Sequence, residues 1–236
     1  MLNKYTTTFL LCMTSPSLFA DALGLWNSYT DPFDNQYRYF NRLDPTYSLG
    51  LTYEIGGNDR FALLISGSYG RIPIGWDTGV SVDASSQALN NANHVLNIGE
   101  IDTSMVGALF KIDVSGKPDR GIWLGMGVDR YYFEVYELPD WDNLLLAIDG
   151  IHTTTYIYHP NIQHALGLRL AFGVNLMLTK HLGISTSAQY RFLRTHMHHE
   201  FSCVVAVDCK DDQVDEISEN LDLDSYELSM GFMWRF

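Results

Sequence analysis

The chain has 236 residues, a net charge of −13 and a mean hydropathy of −0.06. That length suggests one domain, and the acidity excludes a nucleic-acid binder, which needs a basic surface to meet phosphates. No apolar run approaches the roughly 20 residues a membrane-spanning helix requires, so any membrane crossing has to be made by strands.

The first segment carries Lys4, the apolar run Phe9-Leu10-Leu11-Cys12-Met13, then Ser15-Pro16-Ser17 and alanines. It reads as a secretory signal peptide over residues 1–20, with the mature domain at 21–236; the small-x-small triplet Ala20-Asp21-Ala22 also allows a cut after Ala22. Leu11 stands before Cys12, where a lipoprotein site wants a small residue. After removal of the signal, Cys203 and Cys209 remain as an even pair in an exported protein, which makes them a disulfide candidate.

From there the sequence alternates between polar and apolar residues. Residues 23–26 make a weak first strand. Tyr47, Leu49, Leu51, Tyr53 and Ile55 mark a second, and Phe61, Leu63, Ile65, Gly67 and Tyr69 a third, across the turn Gly56-Gly57-Asn58-Asp59. Ser104, Val106, Ala108, Phe110 and Ile112 give the outward face of a fourth, although Met105 and Leu109 blur its phase. A fifth strand has Ile122, Leu124, Met126 and Val128 outward; a sixth has Leu166, Leu168, Leu170, Phe172, Val174 and Leu176; a seventh runs from Leu182 to Phe192. The segments 29–44, 71–99, 133–160 and 193–224 show little periodicity and read as long loops. The eighth strand is the clearest: Tyr226, Leu228, Met230, Phe232, Trp234 and Phe236 alternate with Glu227, Ser229, Gly231, Met233 and Arg235.

Connections therefore alternate long, short, long, short, long, short, long. This terminal strand and that alternation resemble the small eight-stranded outer-membrane β-barrels, the broad group that includes the OmpA membrane domain, OmpX, OmpW and opacity-type proteins. The resemblance covers roughly residues 21–236 and implies an all-β, eight-stranded antiparallel up-and-down transmembrane barrel in the bacterial outer membrane, with short periplasmic turns and long extracellular loops. It implies outer-membrane lipid and lipopolysaccharide as surroundings, a monomer, no nucleic-acid partner and no cofactor. Tyr226, Trp234 and Phe236 resemble the terminal signal read by the barrel assembly machinery. No motif specific to one subfamily is present. A soluble lipocalin, the other eight-stranded barrel, would be apolar inside and would continue past its last strand; here the inward set is Gly, Ser, Asn, Gln, Arg and Glu.

Inward charges are the first candidate site. Arg191 is placed beside Glu227, Asp129 and Arg169 lie on neighbouring strands, and Glu54, Lys111 and Arg235 gather near the periplasmic end. They read either as a packed polar plug, since eight strands leave only room for side chains, or as the lining of a narrow conduit for small solutes.

The last loop is the second. Between 193 and 224 it holds nine acids against Arg194 and Lys210, a net −7. His196, His198 and His199 with Asp208, Asp211 and Asp212 form a candidate divalent-cation site, though without the spacing of an EF-hand; the plain alternative is a solvated acidic loop. Ser202 with a nearby histidine and Glu200 or Asp208 imitates a catalytic triad, but no strand is expected to hold it rigidly, so no catalytic residue is assigned. The function expected is that of a non-enzymatic surface barrel acting through its loops, with a narrow pore and a lipid-modifying enzyme as alternatives. The thiols of Cys203 and Cys209 are expected to be joined in protein purified from cell envelopes, and the short loop so closed to be worth about 2 kcal/mol; mass spectrometry under non-reducing conditions checks this.

Overall fold

The structure, a computed structural model, describes residues 22–33, 37, 40, 42–58, 60–77, 95–115, 120–137, 156–203 and 217–236. Their regular structure is entirely strand: β1 (Ala22–Pro32), β2 (Arg42–Leu43), β3 (Thr46–Asn58), β4 (Phe61–Asp77), β5 (Val95–Asp113), β6 (Arg120–Glu137), β7 (Tyr156–Ile162), β8 (Ala165–Met177), β9 (Leu182–Cys203), β10 (Ile217–Asp222) and β11 (Ser225–Arg235). Eight of these close into an antiparallel barrel in the order β1, β3, β4, β5, β6, β8, β9, β11 and back to β1. The signal-peptide segment lies outside the described residues.

The register fixes the shape of the barrel. Starting at Arg130 on β6, the ladder passes through Val106, Gly67, Leu51, Leu25, Phe232, Ile184 and Leu176 and returns to β6 at Arg120. One circuit is thus displaced by ten residues. At about 3.3 Å per residue, set against eight strand spacings of about 4.8 Å, the strands tilt about 40° to the axis, inside the range typical of closed barrels.

Membrane-level strands follow the expected phase. β8 alternates buried and exposed without a break from Ala165 to Leu176, its exposed set being Leu166, Leu168, Leu170, Phe172, Val174 and Leu176. Met105 and Leu109, which blur the sequence pattern of β5, point inward and are buried. The Trp26 and Trp123 rings lie across the lumen over Gly50 and Gly173, where a Cβ would collide with them.

With the tilt removed, Tyr29, Tyr47, Tyr69, Tyr190 and Tyr226 fall at one height, level with Arg130. Tyr226 stands ten residues above Phe236, about 25 Å in height once the tilt of the strand is allowed for, which is the height of the apolar band of a membrane barrel. Phe61, Phe110, Trp234 and Phe236 are exposed toward its other edge.

Above the tyrosine level the strands continue and their phase inverts. On β4 the inward residues change from Ser66, Ser68 and Gly70 to Ile72 and Ile74, while the outward ones change from Leu63 and Ile65 to Tyr69 and Arg71. On β6 the inward set changes from Asp129 to Tyr131 and Phe133, and the outward set from Val128 to Arg130 and Glu134. The same exchange occurs on β9 between Arg191 and Leu193. The reason is the solvent: inside the bilayer apolar groups gain by facing out, and above it they gain by facing in.

This upper storey corrects the reading of the long loops. Segments 71–99, 133–160 and 193–224 contain the outer ends of β4, β5, β6 and β9, together with β7 and β10. Strands β4, β5 and β6 rise as one wall, with β2 on β4; β7 and β10 flank the outer half of β9 as a second. Phe40, Ile74, Ile98, Ile101, Ile162, Met197 and Leu221 are almost fully buried between them. Each such side chain is worth about 1.5–3 kcal/mol in burial, and without a bilayer this is what holds the two walls together.

Phe172 lies near mid-height on the outward face of β8. Placing Arg there is expected to cost at least about 2–4 kcal/mol, whereas Arg at Tyr226 in the girdle is expected to cost about 0–1 kcal/mol; urea unfolding in vesicles measures both.

Candidate functional site

From the outer end inward, the lumen is layered. Beneath the apolar cluster lies a layer of four buried charges. Arg169 Nη2 meets Asp129 at 3.0 Å and also donates to Ser66 Oγ at 3.0 Å. Arg191 pairs with Glu227, and its guanidinium carbon lies 5.8 Å from the centre of the Tyr131 ring. Glu227 is 0% exposed and Asp129 1%. The strand alternation of β6, β8, β9 and β11 turns these residues to one side, and the register sets Ser225 opposite Arg191, so Glu227 lies diagonally across from it.

Below this comes a layer of hydroxyls, amides and indoles. Trp123 Nε1 donates to Asn175 at 3.1 Å, Ser185 donates to the same oxygen at 2.8 Å, Ser187 and Ser229 hydrogen-bond at 2.6 Å, and Trp26 Nε1 donates to Thr52 at 2.8 Å. A cavity of about 80 Å³ opens here, room for about three waters. A second, of about 40 Å³, lies on the other side of the charge layer against Arg191, Tyr131 and Leu193, and the two share no lining residue. At the far end Lys111 Nζ donates to both oxygens of Glu54 at 2.9 Å, over the Trp123 ring. Arg235 lies one residue across from Glu54, with Ala22 between them in the ladder.

The last-loop candidates resolve differently. His196, His198 and His199 lie on β9, so alternation points His196 and His198 outward and His199 inward. They cannot converge on one ion. Among the described residues no group of three or more potential ligands is brought together. Asp208, Asp211, Asp212 and Cys209 lie outside the described residues, as do the side chains of Ser202 and Cys203. His199 instead joins three strands: its Nδ1 is 2.5 Å from the Tyr158 hydroxyl and its Nε2 2.8 Å from Glu219. A carboxylate can only accept, so Nε2 carries the proton and Nδ1 accepts from Tyr158. With His199 fully buried and Glu219 partly so, this set ties β7, β9 and β10 together.

Sequence reasoning missed this tie and the apolar cluster above the charges. The signal was present, because Tyr131, Phe133 and Val135 alternate, as do Leu193, Thr195 and Met197. It was out of phase with the membrane half of the same strands.

Outside, the two walls differ in charge. On β4 and β5, Arg71 is saturated by Asp102 at 2.6 Å and Glu100 at 2.9 Å, and Tyr69 donates to the same Asp102 at 2.5 Å. Hydrogen bonding to Asp102 holds the Arg71 guanidinium above its ordinary range, and Glu134, accepting from the Tyr136 hydroxyl, raises that phenol likewise. Toward β8, Arg130 at the base of the outer part of β6 is exposed, and so are Arg194, His159, His164 and His196 on and beside β7 and β9.

No family model and no curated protein matches this sequence. Solved structures do. The outer membrane protein OprG from Pseudomonas aeruginosa matches with a TM-score of 0.63 at 14% identity, over 94% of this chain and 98% of that one. Neisserial surface protein A matches at 0.51 and 12% identity, over 91% and 96%. The outer membrane protein AlkL matches at 0.50 and 13% identity, over 92% and 90%. The chain thus has the fold of the small eight-stranded outer-membrane barrels.

Breaking a buried pair from one side strands the other charge, at about 3–5 kcal/mol. Arg191→Ala and Glu227→Ala are each expected to destabilise the barrel by that order, and the double variant by less than the two singles added; a double-mutant cycle by urea unfolding measures the coupling.

Proposed function

We propose that this chain is a non-enzymatic surface protein of the bacterial outer membrane, whose lumen is sealed and whose activity lies in the walls and loops above the bilayer. The observation that carries this reading is the double seal: four buried, mutually paired charges lying directly under a cluster of buried apolar side chains. An ion crossing the lumen would have to displace the pairs and then pass the cluster of buried apolar side chains, and both steps are costly. The narrow-pore reading draws on the 80 Å³ cavity, which ends at the charge layer. The reading against enzymatic activity draws on His199, which is hydrogen-bonded to the Glu219 carboxylate and is itself fully buried.

Membrane placement rests on the exposed apolar band, its tyrosine and tryptophan edges, and the inversion of phase at its upper edge. Under this reading Tyr226, Trp234 and Phe236, exposed in a row on the last strand, are the residues presented to the barrel assembly machinery. The outer surface meets lipid and lipopolysaccharide, and the barrel acts as a monomer.

Reconstituted in planar bilayers, the wild-type protein is expected to show no discrete conductance steps. Regular single-channel steps from the refolded wild type would overturn the sealed-lumen reading, while steps that appear only in the Glu227→Ala and Arg191→Ala variants would identify the charge layer as the seal.

A further inference from the structure

Where β6, β8 and β9 leave the bilayer, their outward residues are unlike those elsewhere at that height. Arg130 is exposed on β6, beside Leu166 on β8. One step beyond the Gly167–Leu193 pair, Leu166 in turn lies beside Arg194 of β9. Leu166 is 64% exposed and the Arg194 side chain 80%. Two arginines thus stand on the strands either side of an exposed leucine, their backbones two strand spacings or about 10 Å apart. Arg130 is level with the tyrosine girdle and Arg194 stands about 6 Å higher by the tilt of the strands. The row below them, Val128, Leu168 and Phe192, is exposed and apolar.

Neither arginine is held as Arg71 is. Arg130 lies over the Tyr132 ring at 5.9 Å. Arg194 has a single carboxylate contact, Asp222 at 3.6 Å, a distance worth little on a surface. Glu200 is the acid on the outer half of β9 and is exposed, six residues beyond Arg194. In a chain of net charge −13, two weakly committed arginines set immediately above a lipid-facing surface form a local cationic step at the headgroup level.

We propose that this face binds a phosphate-bearing acylated saccharide of the outer leaflet, Arg130 and Arg194 taking its phosphates and Val128, Leu168 and Phe192 its acyl chains. Guanidinium groups suit phosphate through paired, charge-assisted hydrogen bonds. Two of them at fixed separation favour a headgroup with two phosphates over one with a single phosphate. The inference rests on the outer-membrane placement argued above and adds to it a defined lipid, a defined face and two named contacts.

The test uses the refolded full chain in detergent micelles titrated with bisphosphorylated lipid A, with bound lipid counted by native mass spectrometry. Wild type is expected to bind, and the double variant R130Q/R194Q to bind at least about tenfold more weakly. Arg71→Gln, on β4 two strands from Arg130 and already held by Asp102 and Glu100, is expected to bind as wild type does. Wild type is expected to bind dephosphorylated lipid A as weakly as the double variant binds the full lipid, a comparison that requires no substitution. Equal binding by wild type and R130Q/R194Q overturns the proposal, and so does an equal loss in Arg71→Gln. Displacement of the lipid by inorganic phosphate at matched phosphate concentration would instead indicate a free-anion site and also overturn it. Failure of the wild type to insert into phosphatidylcholine vesicles would sink the membrane placement itself, whereas inserted protein without a preference for lipid A sinks only this site.

Discussion

Every barrel strand obeys one constraint: its backbone is continuous while the medium around it changes. A strand can present one set of alternate residues outward and the other inward, but lipid and water ask for opposite sets. The structure meets this by exchanging the chemistry of the two sets at the tyrosine level, on β4, β6 and β9 alike. Apolar residues surround the polar lumen below, and polar residues surround an apolar core above. The buried charge layer, the two-walled upper storey and the exposed cations on β9 all follow from that exchange. Without it, the outer ends of β4, β5, β6 and β9 would carry greasy faces into water and could not remain as strands.

The charge layer lies at the junction of these two regimes, and its position follows from the same constraint. Asp129 and Arg191 occupy the last inward positions before the inward set of their strands turns apolar, and Arg169 and Glu227 lie at the same depth on the strands beside them. The apolar cluster shields them on one side and hydrogen-bonding side chains receive them on the other. Paired and partly hydrogen-bonded charges tolerate such a site, and isolated ones do not. Tyr131 and Thr30 belong to both environments: the ring of Tyr131 joins the apolar cluster while its hydroxyl points to Asp129 at 3.4 Å, and Thr30 donates to Glu227 at 3.4 Å.

Much of this was legible in the sequence, and the limit has a physical cause. The eight membrane-level strands, their outward faces and the Arg191–Glu227 and Lys111–Glu54 juxtapositions follow from period-2 alternation with a single rule, apolar out. That rule fails where the strand enters water, so Ile72, Ile74, Phe133, Met197 and Leu221 went unread inside supposed loops. The three histidines misled for the same reason. Counted along a loop they form a cluster, but on a strand alternation sends His199 to the opposite face from its neighbours. The exposed pair Arg130 and Arg194 was invisible because its partnership depends on the register across β8.

The apolar core of the upper storey draws on residues from Tyr37 to Leu223, nearly the whole span of the described chain. Few of its contacts are local, so it condenses late, once most hairpins have crossed. Before then, each hairpin that reaches the far side holds its isoleucines and leucines in water. Afterwards, withdrawal of any one of them would tear open a packed interior. An upper storey packed in this way opposes withdrawal, since pulling any one strand back would separate its apolar side chains from partners contributed by the others.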